Sequence, residues 1–349
     1  MTPAPQPAVS ILIVNYNGAH LLRDCLDSLA KVTQPSFEIV VVDNASQDAS
    51  LAVLRNYPTV RVVKSPTNCG FAGGNNLGLP HCTGRYLLLL NSDTIVTPDF
   101  LTPLCEHLDR YPQVGIAQSR MILPNHGGRL DSCGSFLTRI GFMYHRGFLK
   151  PDAPLYHQTY RVFTAKGACM LIRRETIVAA GGYLFDEDFF CYYEETDFCH
   201  RAWLAGHESH FLGHSVIQHL MGATSESSQK KSFVMSNFLR NQIYSLFSNL
   251  ELGSLLRIMP LYFLFFFASL FAALLTGKWP LVRAHAHGLW ANLKCLSKIR
   301  KQRTLIRQIR KLRDRELFQM VLVNPRLDYF IKTFQGRIGD YQDEALPPR

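Results

Sequence analysis

Two groups of carboxylates in this sequence lie at positions where they could take part in chemistry on a bound substrate. Asp93 follows the apolar run at residues 87–90, a poor place for a carboxylate unless it faces a cavity or an ion. Glu194, Glu195 and Asp197 lie directly before a segment with helical apolar spacing. Divalent cations share oxygen ligands with substrate phosphates, and a helix start stabilises an ionised carboxylate. The pattern predicts a cation beside a diphosphate and a nearby base, although acidic residues also serve as helix caps without catalytic duty.

These carboxylates need a scaffold, and short apolar runs that alternate with helix-like segments predict one. The predicted strands are 9–14, 37–42, 60–64, 86–90 and 114–118. The predicted helices are 20–31, 48–57, 73–81 and 100–110. Such alternation indicates an α/β fold with a parallel sheet covered on both faces. Ligands of such sheets bind beyond the carboxyl ends of the strands.

Polar clusters follow three of these strands and should therefore meet at one edge of the sheet. They are Asn15-Tyr16-Asn17, Asp43-Asn44-Ala45-Ser46 and Asn91-Ser92-Asp93. These residue types also make turns and cap helices, so the inference rests on all three clusters together. The glycine-rich stretch 68–76, with Asn68, Gly70 and Asn75, opens a helix and could bring its backbone amides close to a polar ligand.

The sequence also argues against several common functions. Residues 15–18 read Asn-Tyr-Asn-Gly, which is neither the GxGxxG of a dehydrogenase nor a P-loop. The net charge of +10 is local, because residues 278–315 hold 12 Lys+Arg against one Asp, so we expect no nucleic-acid partner. Nine cysteines without a CxxC pair predict reduced thiols in a cytoplasmic protein. The Pro-rich N-terminus lacks the features of a secretory signal.

The ordered set of motifs resembles the family 2 glycosyltransferases, particularly their bacterial rhamnosyltransferase-like branch, over residues 9–225. The resemblance is carried by Val14-Asn15-Tyr16-Asn17, Asp43-Asn44-Ala45-Ser46-Gln47-Asp48, Asn68-Cys69-Gly70-Phe71 with Asn75-Asn76, Asn91-Ser92-Asp93, and Phe185-Asp186-Glu187 through Arg201. It implies a GT-A fold and an inverting hexosyltransferase that uses a nucleotide sugar and a divalent metal, Mg2+ or Mn2+. Inversion needs one base for the acceptor hydroxyl and an electrophilic clamp on the leaving diphosphate.

The resemblance also assigns roles on the donor side. It implies that Asp43 recognises the nucleobase and that Asp93 is the last residue of the metal-binding DxD motif, which here reads Asn-Ser-Asp. One carboxylate on the metal leaves a second ligand to be found, and His219 resembles a histidine that relatives place near the metal and diphosphate. The residues expected around the donor are Asn15, Asn17, Asp43, Asn44, Asn68, Gly70, Asn75 and Ser92.

The base is expected among the adjacent carboxylates Glu194 and Glu195, which point in different directions and so should not share one role. Relatives usually read Glu-Asp here with the second residue as base, so the resemblance favours Glu195. Glu194 is the alternative, and Asp197 takes a supporting role. Upstream, Lys166 and the pair at 173–174 flank another apolar strand. They are expected to be surface or structural residues, with contact to diphosphate or acceptor as the other possibility.

By the same resemblance the donor is dTDP-rhamnose, with a UDP-hexose as alternative, and the acceptor is a lipid-linked saccharide or a surface polysaccharide. Two other classes compete with this one. A sugar-nucleotidyltransferase should carry a basic glycine-rich loop after the first strand, and residues 15–18 supply none. A non-catalytic membrane scaffold should have lost the carboxylates, whereas Asp93, Glu194 and Glu195 are present.

The C-terminal part of the chain predicts membrane contact. Residues 258–277 carry no charge and could just span a bilayer. A single crossing would put the basic tail at 294–315 outside the cell, against the positive-inside rule. A re-entrant or interfacial helix, or a hairpin completed by 279–296, is favoured instead, with the tail on anionic membrane lipid.

The chain is therefore expected to have three parts. Residues 1–8 form a flexible N-terminus, and residues 9–240 form the GT-A domain. Residues 241–349 form a membrane-associated helical and basic region. The predicted location is the cytoplasmic face of the inner cell membrane.

Overall fold

The computed structural model of this chain describes residues 6–220, 228–334, 337–344 and 346. Residues 1–5 of the predicted flexible N-terminus lie outside this range, as do residues 221–225 at the end of the family resemblance. The strands in this range are β1 (Val9–Asn15), β2 (Phe37–Asp43), β3 (Arg61–Lys64), β4 (Tyr86–Leu90), β5 (Thr94–Val96), β6 (Val114–Leu123), β7 (Arg129–Ser132), β8 (Ser135–Leu137), β9 (Met143–His145), β10 (Thr159–Arg161), β11 (Cys169–Arg173) and β12 (Glu208–His219). The helices in this range are α1 (Ala19–Leu29), α2 (Ser50–Leu54), α3 (Gly70–Gly78), α4 (Leu101–Arg110), α5 (Arg174–Ala179), α6 (Glu194–Leu204), α7 (Ser228–Asn249), α8 (Leu252–Leu275), α9 (Trp279–Lys294), α10 (Leu296–Ile309), α11 (Asp314–Val321) and α12 (Leu327–Phe334).

The large sheet confirms the predicted α/β fold, but it is mixed and not wholly parallel. Its strand order is β10-β12-β6-β11-β4-β1-β2-β3, with β5 beside β12 and β7 beside β6. Strands β4, β1, β2 and β3 run parallel to one another, and β12 runs parallel to β6. Strand β11 lies antiparallel between β4 and β6. The expectation of a parallel sheet was therefore wrong at β11, which enters the sheet from the edge where its neighbours end.

Helices cover both faces of this sheet, as the alternating pattern predicted. On one face α1 buries Leu22, Cys25, Leu26 and Leu29, which are spaced so that they share one side of the helix. They pack with α4 against the β1 and β4 side chains. On the other face α3, α5 and α6 pack against the sheet. The C-terminal helices α7 and α10 join this second core through Tyr244 and Ile299, so this region is continuous with the helical layer on that face of the sheet.

The observed start of α3 differs from the predicted one because of a glycine that packs against a distant loop. The helix begins at Gly70, which has φ of +73°. A Cβ at this position would lie 2.2 Å from the carbonyl oxygen of Phe190, so only glycine allows the approach. Further along α3, Gly74 and Gly78 lie against Val14 and Leu12 of β1. These glycines bring the helix onto the sheet, and their role is packing.

The C-terminal helices form a path that leaves the domain and returns to it. Helix α7 runs without interruption through the predicted domain boundary at 240/241. Helix α8 is, within the described residues, the single helix long and apolar enough to cross a membrane, and 28% of its most apolar window is buried. Helix α9 packs against α8 and α7, where Asn292 donates to the carbonyl of Arg240 (2.9 Å).

The basic helix α10 then packs on the catalytic domain. Lys298 forms ion pairs with Asp186 and Asp188, both at 2.6 Å. At the end of α10, the N–H of Lys311 donates to the carbonyl of Leu204 in α6 (2.7 Å). Part of the basic tail is thus used within the protein. A return path of this kind corresponds to the hairpin among the predicted arrangements, and its attachment to a membrane stays a prediction.

Candidate active site

The polar ends of several strands meet at one edge of the sheet. Asn15 ends β1, Asp43 ends β2, and Asp93 follows β4. Because β11 runs in the opposite direction, residues 166–168 before it arrive at this same edge. The end of β12 joins them, since the N–H of Leu220 donates to the carbonyl of Asp93 (2.8 Å). The predicted convergence of polar clusters therefore agrees with the observed topology.

Four charged or titratable side chains form a chain of contacts at this edge. His219 Nε2 lies 3.2 Å from Asp93 Oδ1, and His219 Nδ1 lies 2.7 Å from Asp131 Oδ2. Asp131 in turn pairs with Lys166 Nζ at 2.6 and 2.7 Å. Asp131 is 1% exposed, whereas 21% of the Asp93 side chain is exposed. Among these four side chains, Asp93 is thus partly exposed to solvent, whereas Asp131 is buried and holds His219 and Lys166 in place.

The contacts among these four side chains shift the pKa values of His219 and Asp131. Burial alone would lower the pKa of His219, but hydrogen bonds with Asp131 and Asp93 raise it to about 9. Burial alone would raise the pKa of Asp131, yet Lys166 and His219 hold it well below its usual range. The carboxylates therefore orient the imidazole ring strongly, and Asp131 stays ionised.

These residues fit a divalent cation as two of its ligands. Neighbouring ligands of an octahedral cation with bonds of about 2.1 Å lie about 3 Å apart, close to the distance between Asp93 and His219. Asp131 accepts the Nδ1 proton, as in other metal sites supported by a carboxylate, so a bound cation would displace the proton that Nε2 shares with Asp93. Within the described residues no group of three or more His, Cys, Asp or Glu is arranged to hold a metal. Donor phosphates would have to supply further ligands.

Sequence reasoning missed Asp131 and placed Lys166 with the surface or structural residues. Asp131 lies in the short strand β7, far along the chain from Asp93, and its only local signal is an acidic residue in an otherwise buried strand. Lys166 is half-buried and belongs to the site, because its ammonium group neutralises Asp131. The reason is topological, since the reversed strand β11 carries this lysine to the active edge.

The two adjacent glutamates at the start of α6 have different surroundings. Glu194 is 4% exposed, and burial together with the nearby Glu195 carboxylate raises its pKa well above the usual value. Glu195 is partly exposed, and burial of its carboxyl group raises its pKa as well. Lys166 and a hydrogen bond from the backbone of Gly167 act in the opposite direction on Glu195. Glu195 is thus the glutamate that faces the Lys166 side of the site.

Asp197 serves a purpose different from that of the glutamates. It is 2% exposed, and its Oδ2 pairs with Arg201 at 2.9 Å. Its Oδ1 accepts hydrogen bonds from Ser245 and Asn249 of α7, both at 2.8 Å. Both oxygens are therefore occupied inside the protein, which excludes Asp197 as the base in this conformation. Its supporting role is to fasten α6 to α7.

The loop that presents the glutamates is held in an unusual conformation. Three of its residues have positive φ, namely Phe190 (58°), Tyr192 (69°) and Tyr193 (77°). Such conformations are costly for residues other than glycine and persist only where the surroundings enforce them. The side-chain amide of Asn241 in α7 donates to three carbonyl oxygens of this loop, those of Phe189 (2.9 Å), Cys191 (3.2 Å) and Tyr192 (2.7 Å). Sequence reasoning missed this contact, because Asn241 lies about 50 residues after the loop in the chain.

Three predicted donor-binding residues present buried oxygen atoms without a partner in the protein. These atoms are Oδ1 of Asn15, Oδ1 of Asp43 and Oδ1 of Asn75. Buried polar atoms are normally hydrogen-bonded, so each marks a place where a ligand or water completes the site. Beside Asn15, glycine at position 18 keeps the space open, because a Cβ there would lie 2.6 Å from that oxygen.

Asn44, Asn68 and Gly70 are joined to one another. The Asn44 amide donates to Asn68 Oδ1 and to the carbonyl of Gly70, both at 3.0 Å. Its Oδ1 accepts from the N–H of Cys69 at 3.0 Å. The Asn44 side chain therefore ties the loop before α3 to the end of β2, and its contact with the donor stays a prediction. The glycine-rich loop likewise uses its Gly70 amide internally, on Asn68 Oδ1 (3.0 Å).

Asn17 and Ser92 remain at the open side of the same edge. Asn17 is exposed, and its Oδ1 accepts from the N–H of Gln47 (2.7 Å), which joins the loops after β1 and β2. Ser92 is partly exposed, and its hydroxyl oxygen lies 3.5 Å from the position that a Cβ of Gly18 would take. Both side chains can therefore still reach a ligand.

Residues 10–175 match the family model for glycosyl transferase family 2. This match covers just under half of the chain. The mannosyltransferase PcManGT from Pyrobaculum calidifontis, solved with GDP-Man and Mn2+, superposes with a TM-score of 0.51 at 18% identity. That likeness covers 88% of this chain and 86% of the other. The GT-A fold expected from the sequence is thereby confirmed.

Two curated relatives are similar to part of this chain. The O-antigen biosynthesis protein RfbC of Myxococcus xanthus is 30% identical over 196 residues, which are 52% of this chain and 15% of that protein. The low-salt glycan biosynthesis hexosyltransferase Agl10 of Haloferax volcanii is 30% identical over 199 residues, 56% of this chain and 61% of that protein. The chain therefore spans less than two thirds of the length of either relative.

Proposed function

We propose that this protein is an inverting, metal-dependent glycosyltransferase that moves a sugar from a nucleotide donor to a saccharide acceptor at the cytoplasmic face of a membrane. One observation carries the proposal. Glu195 is partly exposed, although its carboxyl group is buried, and Lys166 is near enough to oppose the effect of burial on the pKa of that group. Through Asp131, Lys166 belongs to the same set of contacts as Asp93 and the imidazole of His219. This arrangement supports a base and a diphosphate-binding pair at the ligand-binding edge of the sheet.

The proposed reaction is a single displacement. Glu195 accepts the proton of the acceptor hydroxyl while that oxygen attacks the anomeric carbon, and the bond between this carbon and the diphosphate oxygen breaks. Inversion follows because attack and departure occur on opposite faces. The raised pKa of Glu195, caused by burial, suits a group that must bind a proton during the reaction.

On the donor side, Asp43 would recognise the nucleobase through its free Oδ1. Asp93 and His219 would hold a divalent cation, and when bound it would neutralise charge on the leaving diphosphate. Asp131 and Lys166 keep the imidazole of His219 oriented for this task.

The nature of the substrates is also part of the proposal. The curated relatives are named for O-antigen biosynthesis and for glycan biosynthesis, which supports a polysaccharide or lipid-linked saccharide acceptor. The resemblance to the rhamnosyltransferase-like branch makes dTDP-rhamnose the first donor to test. UDP-hexoses come second, and GDP-Man, the ligand of the structural neighbour, comes third.

A donor panel tests the function directly. Membranes that contain the protein are incubated with dTDP-rhamnose, UDP-hexoses and GDP-Man, with and without cell lipid extract, and nucleoside diphosphate release is measured. We expect one donor to support release that needs the extract and stops with a chelator. Nuclear magnetic resonance of the product should show an inverted anomeric centre.

A pair of variants isolates the metal. Asp93→Ala should abolish release, whereas Asp99→Ala, which removes an exposed carboxylate nearby, should leave it unchanged. Full release by Asp93→Ala, or release that persists with the chelator, would exclude the metal from the mechanism.

A further inference from the structure

A second concave site lies away from the proposed active site, at the base of the apolar helix α8. It is a groove of about 810 Å³ between the first turns of α8, the helix α11 and the turn after β8. Its charged residues are Arg139, Arg257, Arg315 and Glu251. The groove is therefore rich in guanidinium groups at the point where α8 leaves the domain.

The three arginines are free to bind a ligand. All three are exposed, and within the described residues their guanidinium groups make no hydrogen bond or ion pair. The acidic residue is engaged instead, because Glu251 Oε2 accepts from the backbone N–H of Asp314 (3.1 Å). Arg310, a further basic side chain nearby, is paired with Asp314 at 2.8 Å. The groove thus presents unpaired positive charge.

The opposite wall of the groove is apolar. It is formed by Ile258, Leu261, Phe318 and Leu322. Leu261 is 43% exposed, and the outer side of α8 continues from it through exposed apolar side chains. These are Leu264, Phe267, Phe271, Leu274 and Leu275. A ligand with an anionic head and hydrocarbon chains would match both surfaces at once.

We propose that this groove binds the phosphate headgroup of an anionic membrane phospholipid, whose acyl chains lie along α8. Guanidinium groups match phosphate oxygens with paired, charge-assisted hydrogen bonds. The apolar wall distinguishes the site from one for a soluble phosphate, which would gain nothing from it. The lipid fixes the base of α8 at the level of the headgroups. The proposal is independent of sugar transfer.

Lipid binding is measured on the full chain in neutral detergent micelles, so that insertion of α8 does not dominate the signal. Chain-fluorescent phosphatidylglycerol is titrated in, with phosphatidylcholine as the zwitterionic comparison and inorganic phosphate as competitor. The groove variant is R139Q/R257Q/R315Q. The matched control is R300Q/K301Q/R307Q, which removes the same charge from exposed positions of α10.

We expect saturable binding of phosphatidylglycerol by the unchanged protein and weaker binding of phosphatidylcholine. The groove variant should bind phosphatidylglycerol at least about tenfold more weakly, since each basic side chain near an anionic lipid surface contributes about a fivefold factor. The α10 variant should lose less than about threefold. Replacement of the three arginines by lysine should restore most of the affinity, and melting temperatures should be unchanged.

Three results would overturn the proposal. They are wild-type affinity in the groove variant, an equal loss in the α10 variant, and equal affinity for phosphatidylcholine and phosphatidylglycerol. Displacement of phosphatidylglycerol by inorganic phosphate of similar affinity would show a site for free phosphate, which would also reject the lipid assignment.

Discussion

At the scale of single residues, Glu194 and Glu195 show how one helical step changes the chemistry of a side chain. Glu194 is 4% exposed and Glu195 is partly exposed, and each has one buried carboxylate oxygen without a partner. Lys166 and the Gly167 backbone oppose the effect of burial on the pKa of Glu195. The nearby cation favours the ionised form of Glu195 and supports its proposed role as the base.

Glu195→Gln should retain donor binding and lose transfer by roughly a hundred- to ten-thousand-fold, because a positioned base contributes about that much. In the unchanged protein, kcat/KM should fall as the pH drops through the pKa of Glu195, which burial raises above the usual carboxyl range. The titratable groups around it are Lys166, Glu194, Cys191, Tyr192, Tyr193 and Cys199. Near wild-type turnover in this variant would move the role to Glu194.

Glu194→Gln should raise stability at alkaline pH. Burial and the neighbouring carboxylate raise the folded-state pKa of Glu194, so its contribution is complete below the unfolded-state pKa and is lost as the pH rises through the folded-state pKa. Glutamine, which stays neutral, removes this loss. Melting temperatures at pH 5 and pH 8 test it, and an equal effect at both would show that the carboxyl group is not strained by burial.

Asp197→Ala should lower the free energy of unfolding, in addition to any effect on the rate of transfer. It leaves Arg201 charged and buried at 0% exposure, a change that typically costs about 3–5 kcal/mol of unfolding free energy. Denaturant titration measures this loss. If Asp197→Ala instead left stability intact and abolished transfer, Asp197 would have a direct part in catalysis.

At the scale of elements, helix α7 acts as the support of the loop that carries the glutamates. Asn241 holds three of its carbonyl groups, and Ser245 and Asn249 hold Asp197. One helix therefore fixes both the strained loop and the first turn of α6. The predicted membrane-associated region thus contains part of the machinery that positions the base.

Asn241→Ala should lower kcat by roughly ten- to a hundredfold with donor affinity unchanged, because the freed loop misplaces Glu195. The matched control is Asn237→Ala, one turn earlier, whose side chain donates to Phe233 of its own helix (3.1 Å). Steady-state kinetics of the two variants separate loop positioning from a general loss of α7. Equal losses in both would argue against the loop contact.

At the scale of the whole molecule, the chain leaves the domain along α8, returns along α9 and docks α10 on the catalytic layer. Lys298 pairs with Asp186 and Asp188, and Ile299 is buried in the core shared with α6. The basic tail and the active edge are therefore held in one body. If α8 contacts a membrane, the basic tail and the active edge of the sheet must therefore lie on the same side of that membrane.

Cysteines introduced at Arg307 in α10 and at Asp24 in α1, both exposed, should behave alike. In intact cells both should resist an impermeant maleimide, and both should react after lysis. Labelling is compared with the unchanged protein, since Cys69, Cys191 and Cys295 are partly exposed. Labelling of the residue 307 variant alone in intact cells would show that the chain crosses once and does not dock its tail as observed here.

Features that depend on residues close together along the chain could be predicted from the sequence alone. Alternating apolar runs and helical segments indicated the α/β layers, and the polar residues after β1, β2 and β4 indicated the ligand edge. Local patterns singled out Asp93 and the pair Glu194 and Glu195, and the family resemblance favoured Glu195 within that pair. The bounds of β1, β2 and β4 agree with the prediction to within one residue, whereas the start of α3 depends on the distant contact between Gly70 and Phe190.

The distant residues that support those positions became apparent only from the packing of the fold. The reversal of β11 brings Lys166 to Asp131, and the path of α7 brings Asn241 to the loop before Glu194. The packing also shows the internal hydrogen bonds of the Asn44 side chain and the partners through which Asp197 takes its supporting role. Periodicity specifies which side of an element is buried, but the choice of partner is made by the packing of elements that are far apart in sequence.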